Sequence, residues 1–63
     1  MELWIARDKD GSLCLSRFEL VKAYTTFICK EQQYYYIDDD LFPEVTFENS
    51  PKMVEIKLVE EKL

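Results

Sequence analysis

The residues of this chain that could do chemistry are Cys14 and Cys29, the segment Asp8-Lys9-Asp10-Gly11, and the acidic set Asp38, Asp39, Asp40, Glu44 and Glu48. A thiol attacks only as the thiolate, and an adjacent base or cation is what makes it one. The usual base is missing, because the sequence contains no histidine. Histidine is the side chain whose unperturbed pKa lies nearest neutrality and is the commonest metal ligand, so ordinary hydrolytic chemistry is disfavoured. A lysine-activated serine is formally open, but no spacing points to one. The chain is expected to be non-catalytic and to carry no cofactor.

Each candidate also has a structural explanation. If Gly11 took the sixth position of a calcium-binding EF-hand loop, the first would be Ala6 and the twelfth Arg17, where acidic ligands are required. The register fails, and a tight turn accounts for Asp10 and Gly11. Asp38, Asp39 and Asp40, with Glu44 and Glu48 behind them, offer hard oxygen ligands for Mg²⁺ or Ca²⁺, yet an extended backbone would splay them in alternate directions. No metal ligand is assigned. These five acids are instead the candidate interaction surface, a docking site for a basic partner.

Cys14 and Cys29 lack the close spacing of a zinc knuckle or a thioredoxin-like pair, and are expected to be free, buried thiols in a reducing cytoplasm. The N-terminal segment reaches Arg7-Asp8 after a very short apolar stretch, without the basic start of a signal peptide. No apolar run approaches the roughly 20 residues needed to cross a bilayer. Thirteen acidic against 8 basic residues give a net charge of -5, and the basic ones are scattered among acids, so direct binding to nucleic acid or to an anionic membrane is not expected. Trp4, Phe18, Phe27, Phe42, Phe47 and the four tyrosines could stack bases only beside a positive groove, which is absent. Most of these rings are expected in the core, with a tyrosine or two at a rim.

The 63 residues make one domain, residues 1–63, with 48% hydrophobic and 14% aromatic side chains, enough for one core. A core of this size supplies only about 3–5 kcal/mol, so a second subunit is a natural supplement.

Leu3-Trp4-Ile5-Ala6-Arg7 and Leu13-Cys14-Leu15, joined through the only glycine, predict a β-hairpin with Gly11 at positive φ before a bulge. Alternation sends Leu3, Ile5 and Arg7 to one side and Trp4 and Ala6 to the other, so both faces of the sheet are partly covered. Residues 16–32 are divided. Ser16-Arg17-Phe18-Glu19 has the form of a capping box, with Leu20, Val21, Ala23, Tyr24, Phe27 and Ile28 on one helical side. The β-branched and aromatic run at 24–29, a polar break at 30–33 and Tyr34-Tyr35-Tyr36-Ile37 instead predict a second hairpin, which is preferred.

Residues 38–43 predict an acidic, proline-containing turn or a single helical turn started by an Asp cap, with Leu41 and Phe42 plugging one end of the core. Val45-Thr46-Phe47-Glu48 predicts a short strand. Residues 49–52 then predict a turn and residues 53–59 a strand burying Val54, Ile56 and Leu58, with a frayed tail at 60–63.

The fold class is thus mainly β, a small antiparallel sheet of about five short strands. The alternative is α+β, with one helix at 17–30 packed on the sheet. Open edges favour pairing with other chains, so a homodimer through the final strand is expected.

The stretches Leu41-Phe42-Pro43-Glu44-Val45-Thr46-Phe47-Glu48-Asn49-Ser50-Pro51 and Val54-Glu55-Ile56-Lys57-Leu58, with residues 4–13, resemble short uncharacterised proteins from mobile-element and phage-related DNA of Bacteroides-type gut bacteria. The middle, residues 16–36, departs from that pattern. The resemblance implies a cytoplasmic accessory protein and brings no activity or site residue. The function expected is a non-catalytic protein-interaction or accessory module. The alternative is an acidic inhibitor that mimics nucleic-acid phosphates and fills a basic groove.

Overall fold

A computed structural model describes residues 1–56. Its elements are β1 (Glu2–Arg7), β2 (Leu13–Ser16), β3 (Val21–Lys22), β4 (Phe27–Ile28), β5 (Tyr34–Ile37) and β6 (Lys52–Glu55), and no helix forms among the described residues. Four strands make one antiparallel sheet in the order β5-β2-β1-β6, and β3 and β4 make a separate two-stranded ribbon. The domain is mainly β, as its alternation and turn residues predict.

The first hairpin forms as expected. Asp8 N–H donates to the Ser12 carbonyl at 2.7 Å and Gly11 N–H to the Asp8 carbonyl at 3.0 Å, with Gly11 at φ 99°. Asp10 Oδ1 accepts Ser12 N–H at 2.9 Å, so the turn satisfies its own polar groups.

Both faces of the sheet are covered. On one, Ala6 and Cys14 pack with Leu20, Phe27 and Cys29, flanked by Trp4, Phe18 and Phe47. On the other, Ile5, Leu13 and Val45 form a second cluster with Leu15, Ile37 and Val54 around it. Ile5 and Leu13 are fully buried, and a buried aliphatic side chain of this kind contributes roughly 1.5–3 kcal/mol. The β3–β4 ribbon is what covers the first face, closed at its tip by Ala23 N–H donating to the Thr26 carbonyl at 2.8 Å.

Several expectations are corrected. The run at 24–29 and Tyr34-Tyr35-Tyr36-Ile37 do not pair with one another: β4 pairs with β3, and β5 pairs with β2. Burial decides this. Residue Ile37 joins the cluster of Leu13 on one face, whereas Phe27 and Cys29 are buried on the other. The chain reverses between them, with Gln32 at φ 57° and its N–H on the Cys29 carbonyl at 3.0 Å. The helix at 17–30 does not form either. Ser16 Oγ accepts Phe18 N–H at 3.0 Å as a cap would, but Ser16 is itself in β2, and the chain leaves it toward the ribbon.

Val45-Thr46-Phe47-Glu48 is not a strand. Asn49 Oδ1 accepts Thr46 N–H at 2.8 Å while Asn49 N–H donates to Thr46 Oγ1 at 3.2 Å, a reciprocal closure that competes with any ladder. The final strand therefore pairs with β1, in the register Glu2↔Glu55 to Ile5↔Lys52, after a cis Ser50-Pro51 bond. It begins at Lys52, and Ile56 lies beyond it and is half exposed; the remainder of the expected 53–59 strand and the tail at 60–63 lie outside the described residues. Leu41 and Phe42 do not plug the core but are exposed, and Val45 is buried in their place.

Candidate interaction edge

The outer strand β5 carries Tyr34, Tyr35 and Tyr36, which remain 45%, 72% and 58% exposed. The ladder phase follows from the first turn. The Asp8–Ser12 bond turns the backbone groups of Ser12, Cys14 and Ser16 toward β1, so those of Leu13 and Leu15 face β5. With Leu13 opposite Ile37 and Leu15 opposite Tyr35, the N–H and C=O groups of Tyr34 and Tyr36 face away from the sheet. The rings divide by face. Tyr34 and Tyr36 meet edge to face, centroids 5.8 Å apart at 87°, and Tyr35 lies on the opposite side.

Asp8 holds this edge in place. The residue is 7% exposed, with Oδ1 accepting Phe27 N–H at 3.2 Å and Oδ2 accepting the Tyr36 hydroxyl at 3.4 Å. Lys9 N–H reaches the Thr25 carbonyl at 2.9 Å, so one turn ties β5 and the ribbon to the first hairpin. Loss of hydration, and then the Asp8 charge, push the Tyr36 hydroxyl above its ordinary pKa, which keeps it protonated as the donor.

The two thiols differ. Both are free and buried in one cluster. Burial pushes Cys14 up to about 11, with the Asp8 charge adding to the rise. Cys29 is moved down, chiefly by Ser16 Oγ at 3.5 Å, and the Ser16 hydroxyl also donates to the Gln33 carbonyl at 2.7 Å.

The five acids proposed from sequence all lie at the surface, Asp38, Asp39 and Asp40 directly after β5. Asp38 Oδ1 accepts Asp40 N–H at 2.9 Å and the Asp38 carbonyl accepts Leu41 N–H at 3.1 Å, a self-contained turn. Glu44 and Glu48 contribute carbonyls, to Asn49 Nδ2 at 2.9 Å and Lys22 Nζ at 3.2 Å. Among the described residues no three His, Cys, Asp or Glu side chains converge on a metal position.

The organiser of this segment is Arg7. Its Nε donates to the Val45 carbonyl at 2.6 Å, Nη1 to Gly11 at 2.7 Å and Asp39 at 3.0 Å, and Nη2 to Leu41 at 2.9 Å and Phe42 at 3.1 Å. Every N–H of the guanidinium thus has a carbonyl, and none of these contacts is to a carboxylate. Turning the carbonyls of Leu41 and Phe42 inward leaves their side chains outward, and Phe42 takes φ 50° to do so. Sequence reasoning missed Arg7, Asp8 and the tyrosine edge. A signal for Arg7 existed: it continues the apolar register of Leu3 and Ile5, where a charged residue needs a built set of acceptors.

Comparison with protein-family models, with curated proteins and with solved structures returns no match. Among the described residues no helix is long and apolar enough to cross a membrane.

Proposed function

We propose that the chain is a non-catalytic protein-interaction module and that its working surface is the β5 edge. The observation that carries this is the exposure of three consecutive tyrosines on an outer strand. Protein interfaces are enriched in tyrosine, which supplies large contact area at little cost in rotamer entropy. The final strand, suspected from sequence, is the less open of the two edges. Lys52 and Glu55 are the two ends of a four-residue strand preceded by Pro51, and charge, proline and shortness all blunt an edge.

The test is affinity capture from the native host with the full chain and with a Tyr34→Ala/Tyr35→Ala variant, at low and high salt. A partner retained by the wild type at high salt and lost by the variant supports the reading. A partner retained by the variant but released by salt overturns it in favour of the acidic mimic, whose affinity would come from Asp38, Asp39, Asp40, Glu44 and Glu48.

A further inference from the structure

We infer that the β5 edge accepts an extended, basic peptide segment as an added strand of the sheet. This rests on the reading of β5 as the interaction edge and names the chemistry of its occupant. Strand addition needs backbone donors and acceptors that the sheet does not use, and the ladder phase leaves those of Tyr34 and Tyr36 facing outward.

Charge selects the occupant. Beyond Ile37 the edge runs directly into Asp38, Asp39 and Asp40, all exposed, whereas before its start the exposed Lys30 and Glu31 offset one another, so the negative charge is concentrated at the Asp38 end. The guanidinium of Arg7 is spent on carbonyls of Gly11, Asp39, Leu41, Phe42 and Val45, and does not ion-pair with these acids. The tyrosine faces add to the same preference, because a lysine or arginine over an aromatic ring is attracted to its electron-rich face. An added strand with alternating side chains would lay one set over Tyr34 and Tyr36 and the other over Tyr35, with its cationic end beside Asp38 to Asp40. A second copy of this chain fits less well, since it brings a further net charge of -5 to an acidic edge.

The experiment is selection of random decapeptides displayed on phage against the purified full chain, followed by NMR titration of the enriched peptides, synthesised free. The expected result is enrichment of lysine and arginine within alternating β-branched or aromatic sequences. Amide shifts and slowed exchange should centre on Tyr34 and Tyr36, and a central proline in the peptide should abolish binding. An Asp39→Asn/Asp40→Asn variant should bind roughly tenfold more weakly, with a shallower salt dependence. Enriched peptides that are neutral or acidic but still map to β5 would overturn the charge assignment and leave the edge reading standing. Shifts located elsewhere, or failure to enrich any peptide, would overturn both. Self-association of the free chain through Tyr34 and Tyr36 would replace the peptide by a second copy.

Discussion

Arg7 and Val45 meet through a 2.6 Å hydrogen bond from the guanidinium Nε to the backbone carbonyl, and that bond joins the end of β1 to the acidic segment that follows β5. The same guanidinium binds four further carbonyls, so a single side chain determines the path of residues 39–45. Val45 is carried into the second core cluster as a result.

Replacing Arg7 should therefore unfold more than a surface arginine would. Arg7→Ala strands several carbonyls and is expected to cost about 2–4 kcal/mol in chemical denaturation. Arg7→Lys should recover only a minor part, because an ammonium cannot reproduce the planar fork. Equal stability of Arg7→Ala and wild type would refute the clamp.

Asp8→Ala should cost about 1–3 kcal/mol by leaving the Phe27 amide without its acceptor. Asp8→Asn separates charge from hydrogen bonding. With the carboxylate gone, the Tyr36 hydroxyl should titrate closer to its ordinary 10.0, though loss of hydration still holds it above. Spectrophotometric titration of wild type and variant reads the difference, and an unmoved titration would mean that the Asp8 charge does not reach the ring.

Gly11→Ala isolates backbone strain. A methyl group at Gly11 would meet nothing within 4 Å, so the cost comes only from φ 99° and should be about 1–2 kcal/mol. Thermal melts of Gly11→Ala and Gly11→Asn should rank the asparagine variant as the milder, since asparagine tolerates positive φ better.

The thiols should separate under alkylation at pH 8. Cys29, moved down by Ser16, is expected to label before Cys14, whose pKa is about 11; peptide mapping by mass spectrometry distinguishes them. Ser16→Ala should slow Cys29.

The same pair makes stability depend on alkaline pH. Folded Cys14 keeps its proton to about 11, whereas the unfolded chain releases it near 9.0, so its contribution is complete below 9 and is lost as pH rises toward 11. The raised Tyr36 acts with the same sign, and the lowered Cys29 with the opposite one. Cys14→Ala should flatten the alkaline decline in urea-melt stability, and an unchanged slope would remove Cys14 as its source.

What the sequence determined by itself were features that depend on neighbours along the chain. Gly11 with Asp10 requires a turn, the alternation through Leu3, Ile5 and Arg7 makes a strand with two covered faces, and apolar Cys14 and Cys29 go inside. The five acids were also legible as surface residues, because carboxylates without partners are almost never buried, least of all three in a row at 38–40. Which strand lies beside which was decided only by the tertiary structure. The 34–37 run suits pairing with β4 as well as with β2 by local propensity, and only the packing of the partly buried Ile37 beside Leu13, with Phe27 and Cys29 on the opposite face, separates the two. Tertiary contacts likewise made Arg7 an organiser, since its acceptors at 39, 41, 42 and 45 become a set only after the chain has folded back. The expectation of a tyrosine or two at a rim falls short for the same reason, since all four are exposed: ring type reports what burial would gain, whereas exposure depends on which edge lacks a neighbour among the described residues.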